Sequence, residues 1–263
     1  WMDSKFSEAT FHEAMRGSSP WFSFPDADGS ALQVMSGATI RDTRREIAAS
    51  WSRERGDAGS IGASASYSAE DDYHAAAFGV DWQRPLSAAT DLGLGASWSH
   101  DIIDPTDAAE FGRIDRAVKN SGSAFASLTV VLDRSSQLQA GVQLMHARGY
   151  LSDPYKRFYA GDRILPDTRP DTRTQLAALL RYRRAHVDID GALHLDYRLA
   201  GDSWGVRSHT LGASWYQTLG RGFRLVPGMR VYTQGAADFH APFSDAGEAG
   251  RYHSSDYRLA ANG

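Results

Sequence analysis

Long runs of alternating apolar and polar residues dominate this sequence. They confine it to extended strands with one apolar and one polar face. In the run from Asp188 to Leu199, Ile189, Leu193, Leu195, Tyr197 and Leu199 share one face, and Asp188, Asp190, His194, Asp196 and Arg198 share the other. A helix would scatter those residues around its whole circumference. The same period of two sets Leu138, Ala140, Val142 and Leu144 against Gln137, Gln139, Gly141 and Gln143, and Ala76, Phe78, Val80 and Trp82 against Ala77, Gly79, Asp81 and Gln83. Phe223, Leu225, Pro227, Met229 and Val231 likewise oppose Arg224, Val226, Gly228, Arg230 and Tyr232.

This pattern predicts strands over 38–53, 58–67, 74–84, 88–99, 119–132, 136–147, 172–184, 187–200, 206–219, 222–236 and 252–260. Most are about ten residues or longer, where soluble sheets favour ~5–6 and a tilted membrane-spanning strand needs ~9–11. The connections alternate too. Short ones lie at 55–57, 84–87, 133–135, 184–186 and 220–221, and longer ones at 15–37, 68–73, 100–118, 148–171, 201–205 and 237–251. Up-and-down outer-membrane barrels sort short periplasmic turns from long outer loops in this way.

Composition agrees. No apolar run approaches the ~20 residues of a membrane helix. The absence of Cys excludes disulfides, thiolate metal sites and Cys nucleophiles. A net charge of −4 argues against nucleic acid as a partner. The expected fold is therefore all-β: an up-and-down antiparallel transmembrane β-barrel with about 11–12 strands visible. Residues 1–37 form an N-terminal segment and first outer loop, and 38–263 form the barrel, which stops before its closing strands. The setting that follows is the outer membrane of a Gram-negative bacterium, with its lipid as a partner.

Two residue sets follow from the alternation. Trp51, Tyr67, Trp82, Trp98, Tyr182, Tyr197 and Trp215 lie on apolar faces near strand ends, as an aromatic girdle would. Asp42, Arg44, Glu46, Asp81, Asp91, Arg181, Arg183, Asp188, Asp190, His194, Asp196, Arg198, Arg224 and Arg230 lie on the polar face. They are either a charged pore lining or a salt-bridged network that fills the lumen. Their signs interleave, which favours the filled network.

Several stretches resemble one bacterial outer-membrane family, domain of unknown function 3570. They include Gln33-Val34-Met35-Ser36-Gly37, Asp104-Pro105-Thr106-Asp107, Gly149-Tyr150-Leu151-Ser152-Asp153-Pro154-Tyr155-Lys156, Leu165-Pro166-Asp167-Thr168-Arg169-Pro170, Leu193-His194-Leu195-Asp196-Tyr197-Arg198 and Asp202-Ser203-Trp204-Gly205. The resemblance spans about 15–260. It implies the barrel fold and the location, and it implies further strands beyond the last residue here. It carries no activity and no site residues.

No catalysis, cofactor or metal is expected. Ser208 and His209 are adjacent, so on a strand they face opposite ways, and no Gly-x-Ser-x-Gly elbow is present. The loop acids Glu70, Asp71, Asp72, Asp153, Asp162, Asp167 and Asp171 lack a calcium-loop pattern and suit pairing with Arg157, Arg163, Arg169 and Arg173. Lys156, in the longest loop, is expected to be accessible. The leading function is a channel or transport pore for a small solute. The alternatives are a structural or assembly barrel with a filled lumen whose outer loops bind a partner, and a soluble ligand-binding β-barrel or sandwich.

Overall fold

A computed structural model describes residues 19–25, 29–36, 43–161, 163–220, 222–244 and 249–261. One antiparallel sheet organises them. Its members are β3 (Arg45–Glu54), β4 (Ser60–Ala69), β5 (Tyr73–Ser87), β6 (Thr90–Ile103), β7 (Ala117–Asp133), β8 (Ser136–Gly149), β11 (Thr172–His186), β12 (Gly191–Asp202), β13 (Arg207–Thr218), β14 (Arg224–Leu225) and β15 (Gly228–Gln234). Each pairs with its neighbour in chain order, β8 with β11, and β14 and β15 share one edge of β13. Two hairpins stand outside the sheet: β1 (Ser19–Pro25) with β2 (Ala31–Ser36), and β9 (Arg157–Ala160) with β10 (Arg163–Pro166). The architecture is an up-and-down barrel wall whose edges, β3 and β14–β15, are not joined among the described residues.

The register decides which residues share a face, because directly paired residues project to the same side. Val142 pairs with Ala126 and Ala178, and Gln143 with Phe125 and Ala177. Carried across every ladder, this puts the aliphatic and aromatic set outward. Ile47 is 72% exposed, Leu176 60% and Val142 54%. In water such a face would be a severe liability. In hydrocarbon it is the favoured surface, and the ladder satisfies the backbone groups that lipid cannot.

The inward face is small and polar. On β4 it carries Ser60, Gly62, Ser64, Ser66 and Ser68, and on β6 Gly93, Gly95, Ser97 and Ser99. Gly95 is needed for packing: a Cβ there would come within 2.2 Å of the Phe125 ring, which lies across it.

Conventional core forms only where the long connections meet. Trp204, Val206, Ala237 and Leu259 are buried together, with Leu151 and Phe239 against them. The helix α1 (Ala108–Phe111) lies in the connection before β7. The β1–β2 hairpin lies against β9, so part of the expected first loop is in fact paired strand.

Three expectations need correction. Residues 187–190 are not strand. β11 runs on to His186, Val187–Ile189 form a 3-10 turn, and Asp190 adopts φ 50°, a left-handed conformation that Asp tolerates. Residues 222–236 are interrupted at Val226 and Pro227, because Pro has no N–H to give the ladder. Residues 252–260 are not strand either. His253 bridges Thr168, Ser254 bridges His240, and Tyr257–Leu259 form a 3-10 turn.

The face assignment has a direct test. Val142→Arg, in the middle of the outward band, should weaken folding into bilayers by ~2–4 kcal/mol. Gln143→Arg, its inward neighbour, should cost well under half of that. Urea titrations in phosphatidylcholine vesicles compare them, and equal losses would reverse the assignment.

Candidate functional site

The polar face is the candidate site, and its charges group by strand. Asp196 on β12 stands opposite Arg181 on β11 in the register. The Arg183 guanidinium donates to both Asp196 carboxylate oxygens at 2.8 and 3.0 Å, and Arg181 Nε lies 3.2 Å from Oδ1. Two arginines thus share one carboxylate between adjacent strands of the same wall. Gln137, Gln139 and Thr129 complete a small polar recess beside them. His194 leaves this network and packs against the Tyr216 ring at 4.3 Å.

Asp81, Asp91, Arg198, Arg224 and Arg230 share the inward face but have no ion-pair partner among the described residues. Arg44 and Glu46 pair at the start of β3, at 3.3 Å, and are exposed. Asp188 and Asp190 belong to the β11–β12 turn, so the sequence pattern places them wrongly on the wall. Asp42 lies outside the described residues. The signs also separate. The β5 and β6 face carries Asp81, Asp91 and Asp101, and the β11–β15 face carries most of the arginines. The interleaving seen along the sequence is therefore largely resolved into two walls.

The seven aromatics all face outward. Trp51, Trp82, Trp215 and Tyr182 lie towards the short turns, and Tyr67 and Trp98 towards the long connections. Tyr197 sits deeper, but its hydroxyl reaches His209 Nδ1 at 2.7 Å. Ser208 and His209 do face opposite ways, as adjacent strand residues must.

Sequence reasoning missed one inward cluster. Tyr73, Asp101 and Lys119, on three consecutive strands, make contacts of 2.7, 2.8 and 3.0 Å. Only the register could bring them together, since up to 46 residues separate them in the chain.

The long connections interlock through buried charge. Asp256 is 2% exposed. It accepts from Arg258 Nε at 3.0 Å and from Arg169 at 3.0 Å, and Arg169 Nε donates to Asp167 at 2.7 Å. Asp153 takes the second reach of Arg258 at 3.0 Å. Arg173 holds Asp202, and Tyr155 donates to Asp72. Arg113 pairs with Asp107 at 2.9 Å and donates to the Pro154 carbonyl at 2.6 Å. Of the loop acids expected to pair with nearby arginines, Asp167 does so with Arg169, whereas Asp153 meets Arg258, Asp72 accepts from Tyr155, Arg173 goes to Asp202 and Arg157 to the Phe111 carbonyl. Asp162 lies outside the described residues. Lys156 is 6% exposed, contrary to expectation, and burial pushes its pKa down against the opposing pull of Asp256 and Asp153.

Burial disfavours a charged Asp256, yet Arg258, followed by Arg169, outweighs it and brings the carboxyl from 3.8 down to about 2. A folded pKa below the ordinary value means the carboxylate stabilises the fold above about pH 4. That contribution, about 2 kcal/mol, is lost as the pH falls towards 2. Amide exchange in 150–171 and 249–261 should rise over that window before the strands respond; uniform acceleration would contradict the pairing. Asp196→Ala strands two arginines, but these are partly solvated, so the expected loss is only about 1 kcal/mol, read by chemical denaturation.

Comparison with known proteins yields a family match and several structural likenesses. No curated protein matches the sequence. Among solved structures, CdiB from Acinetobacter baumannii is similar over 86% of this chain and 44% of its own length, with a TM-score of 0.43 and 13% identity. This chain thus spans less than half of that protein. The family model described as "Protein of unknown function (DUF3570)" matches residues 26–263. The chain belongs to that family.

Proposed function

We propose that this protein forms a water-filled outer-membrane pore for a small polar solute. The observation that carries this reading is the character of the inward face. Serine and glycine dominate it on β4 and β6, alanine and glycine line the middle of β5, and side chains of that size do not fill a lumen. The strong charge pairing at Asp196 runs between neighbouring strands and leaves the space in front of the wall unspanned. Unpaired Asp81 and Asp91 on one part of the wall, and Arg198 and Arg230 on another, would meet water and passing ions. The exposed apolar outward face supports a lipid setting over a soluble ligand-binding barrel.

A partner-binding role has its own support in the long connections. Their buried ion pairs and small apolar core hold them in one arrangement, which suits a rigid recognition surface. The two roles are compatible on one barrel.

Reversal potentials across a planar bilayer under a salt gradient test the pore. The wild-type protein should conduct, and Asp81→Asn with Asp91→Asn should shift permeability towards anions. Arg230→Gln should shift it towards cations. Folded protein that inserts without conducting would overturn the pore and leave the loop-binding role.

A further inference from the structure

We propose that two cationic belts on the outward face bind the phosphate headgroups of anionic lipids, one belt at each end of the strands. This rests on the membrane reading above and identifies the lipid class that reading requires.

The ladder register assigns every strand residue to a face, and apart from Asp133 the outward strand charges are all positive. Arg45, Arg148 and Arg207 project outward at the end bearing the long connections. Arg53, Arg84 and Arg184 project outward at the short-turn end. All six are exposed and none has an ion-pair partner among the described residues. The strand acids behave oppositely. Asp81, Asp91, Asp101, Asp196, Asp202 and the two β3 glutamates all share the inward face. The exception is Asp133 at the short-turn end, which pairs with Ser136 beside Arg184 and is held by hydrogen bonds from Ser135 and Ser136.

Histidines reinforce the same rims. His74, His100 and His209 each meet an outward aromatic: Tyr67 at 3.3 Å, the stacked Trp98 ring at 6.0 Å between centroids, and Tyr197 at 2.7 Å. At the opposite rim His186 packs on Trp215 at 5.3 Å. Aromatic side chains mark the depth at which hydrocarbon gives way to headgroups, so the cations stand at headgroup level.

The spacing fits. His74 and Arg84 lie ten residues apart on β5, with only Ala76, Phe78, Val80 and Trp82 between them on that face. At ~3.3 Å per residue and a tilt of about 40°, their separation along the membrane normal is roughly 25 Å, the height of an apolar band in such barrels. Phosphate is the fitting ligand chemistry. Guanidinium offers a bidentate fork to phosphate oxygens, and anionic leaflets attract basic residues held at their surface. A belt with as many acids as bases would favour zwitterionic lipid equally; here six arginines face one acid.

The test uses the whole chain purified in a neutral maltoside. Thermal unfolding is followed by near-ultraviolet circular dichroism as phosphatidylglycerol or phosphatidylcholine is added to the micelles. Phosphatidylglycerol should raise the midpoint by several degrees more than phosphatidylcholine, and 0.5 M NaCl should remove much of the difference. Arg148→Gln with Arg207→Gln should lose about a third or more of that difference. Arg198→Gln with Arg230→Gln, an equal charge loss on the inward face, should keep it. If the outward pair fails to fold, each single variant carries the same comparison with a smaller expected loss. Equal responses to the two lipids, or loss of the difference only in the inward pair, would overturn the belts. Both of those results leave the membrane reading intact. A chain that stays folded and monodisperse without any amphiphile would instead defeat the membrane reading itself.

Discussion

The ladder of backbone hydrogen bonds is the constraint on which everything else here depends. In hydrocarbon no water is present to satisfy a peptide N–H or C=O, so each must be paired along its length with a neighbouring strand. Once the ladder is formed, side chains have no choice but to alternate, and the chain must be apolar at every second residue. The long strands, the small inward residues and the exposed outward leucines and valines are consequences of that single requirement. It also explains why mean hydropathy is low in a protein whose outer surface is greasy.

The same requirement sends stability to unusual places. A soluble domain holds itself together through a central apolar core, whereas this wall has little on either face that is buried. Its conventional packing is concentrated where Trp204, Val206, Ala237 and Leu259 gather, and its tightest charge pairing lies nearby at Asp167, Arg169, Asp256 and Arg258. Both features belong to the long connections. These segments are therefore ordered by their own interactions, and the wall is ordered by the ladder.

Charge is distributed according to what each surface faces. Arginines in the connections and at Asp196 neutralise nearby carboxylates. Those on the outward rims form no ion pair among the described residues, and only Arg184 has an acid, Asp133, on its own face nearby. On the inward face, β5 and β6 carry Asp81, Asp91 and Asp101, while Arg181, Arg183, Arg198, Arg224 and Arg230 outnumber Asp196 and Asp202 from β11 to β15, so the two parts of the wall differ in sign. This separation arises from the order in which strands join and is invisible along a single strand.

Alternation alone determined that the chain is a sheet with one apolar side, and it placed Trp51, Trp82, Trp98 and Trp215 on that side, where the register has them. Period two is a local property, readable from neighbours in the chain. It could not mark strand ends, because a tight turn such as 187–190 continues an alternating pattern without belonging to the ladder. It also could not show the break at Pro227, whose side chain fits the period while its nitrogen cannot bond. Tyr73, Asp101 and Lys119 became a cluster, and Asp256 became the partner of Arg169, only through the folded chain. Those contacts join residues far apart in sequence, and their existence depends on register and on the packing of connections, which no local pattern encodes.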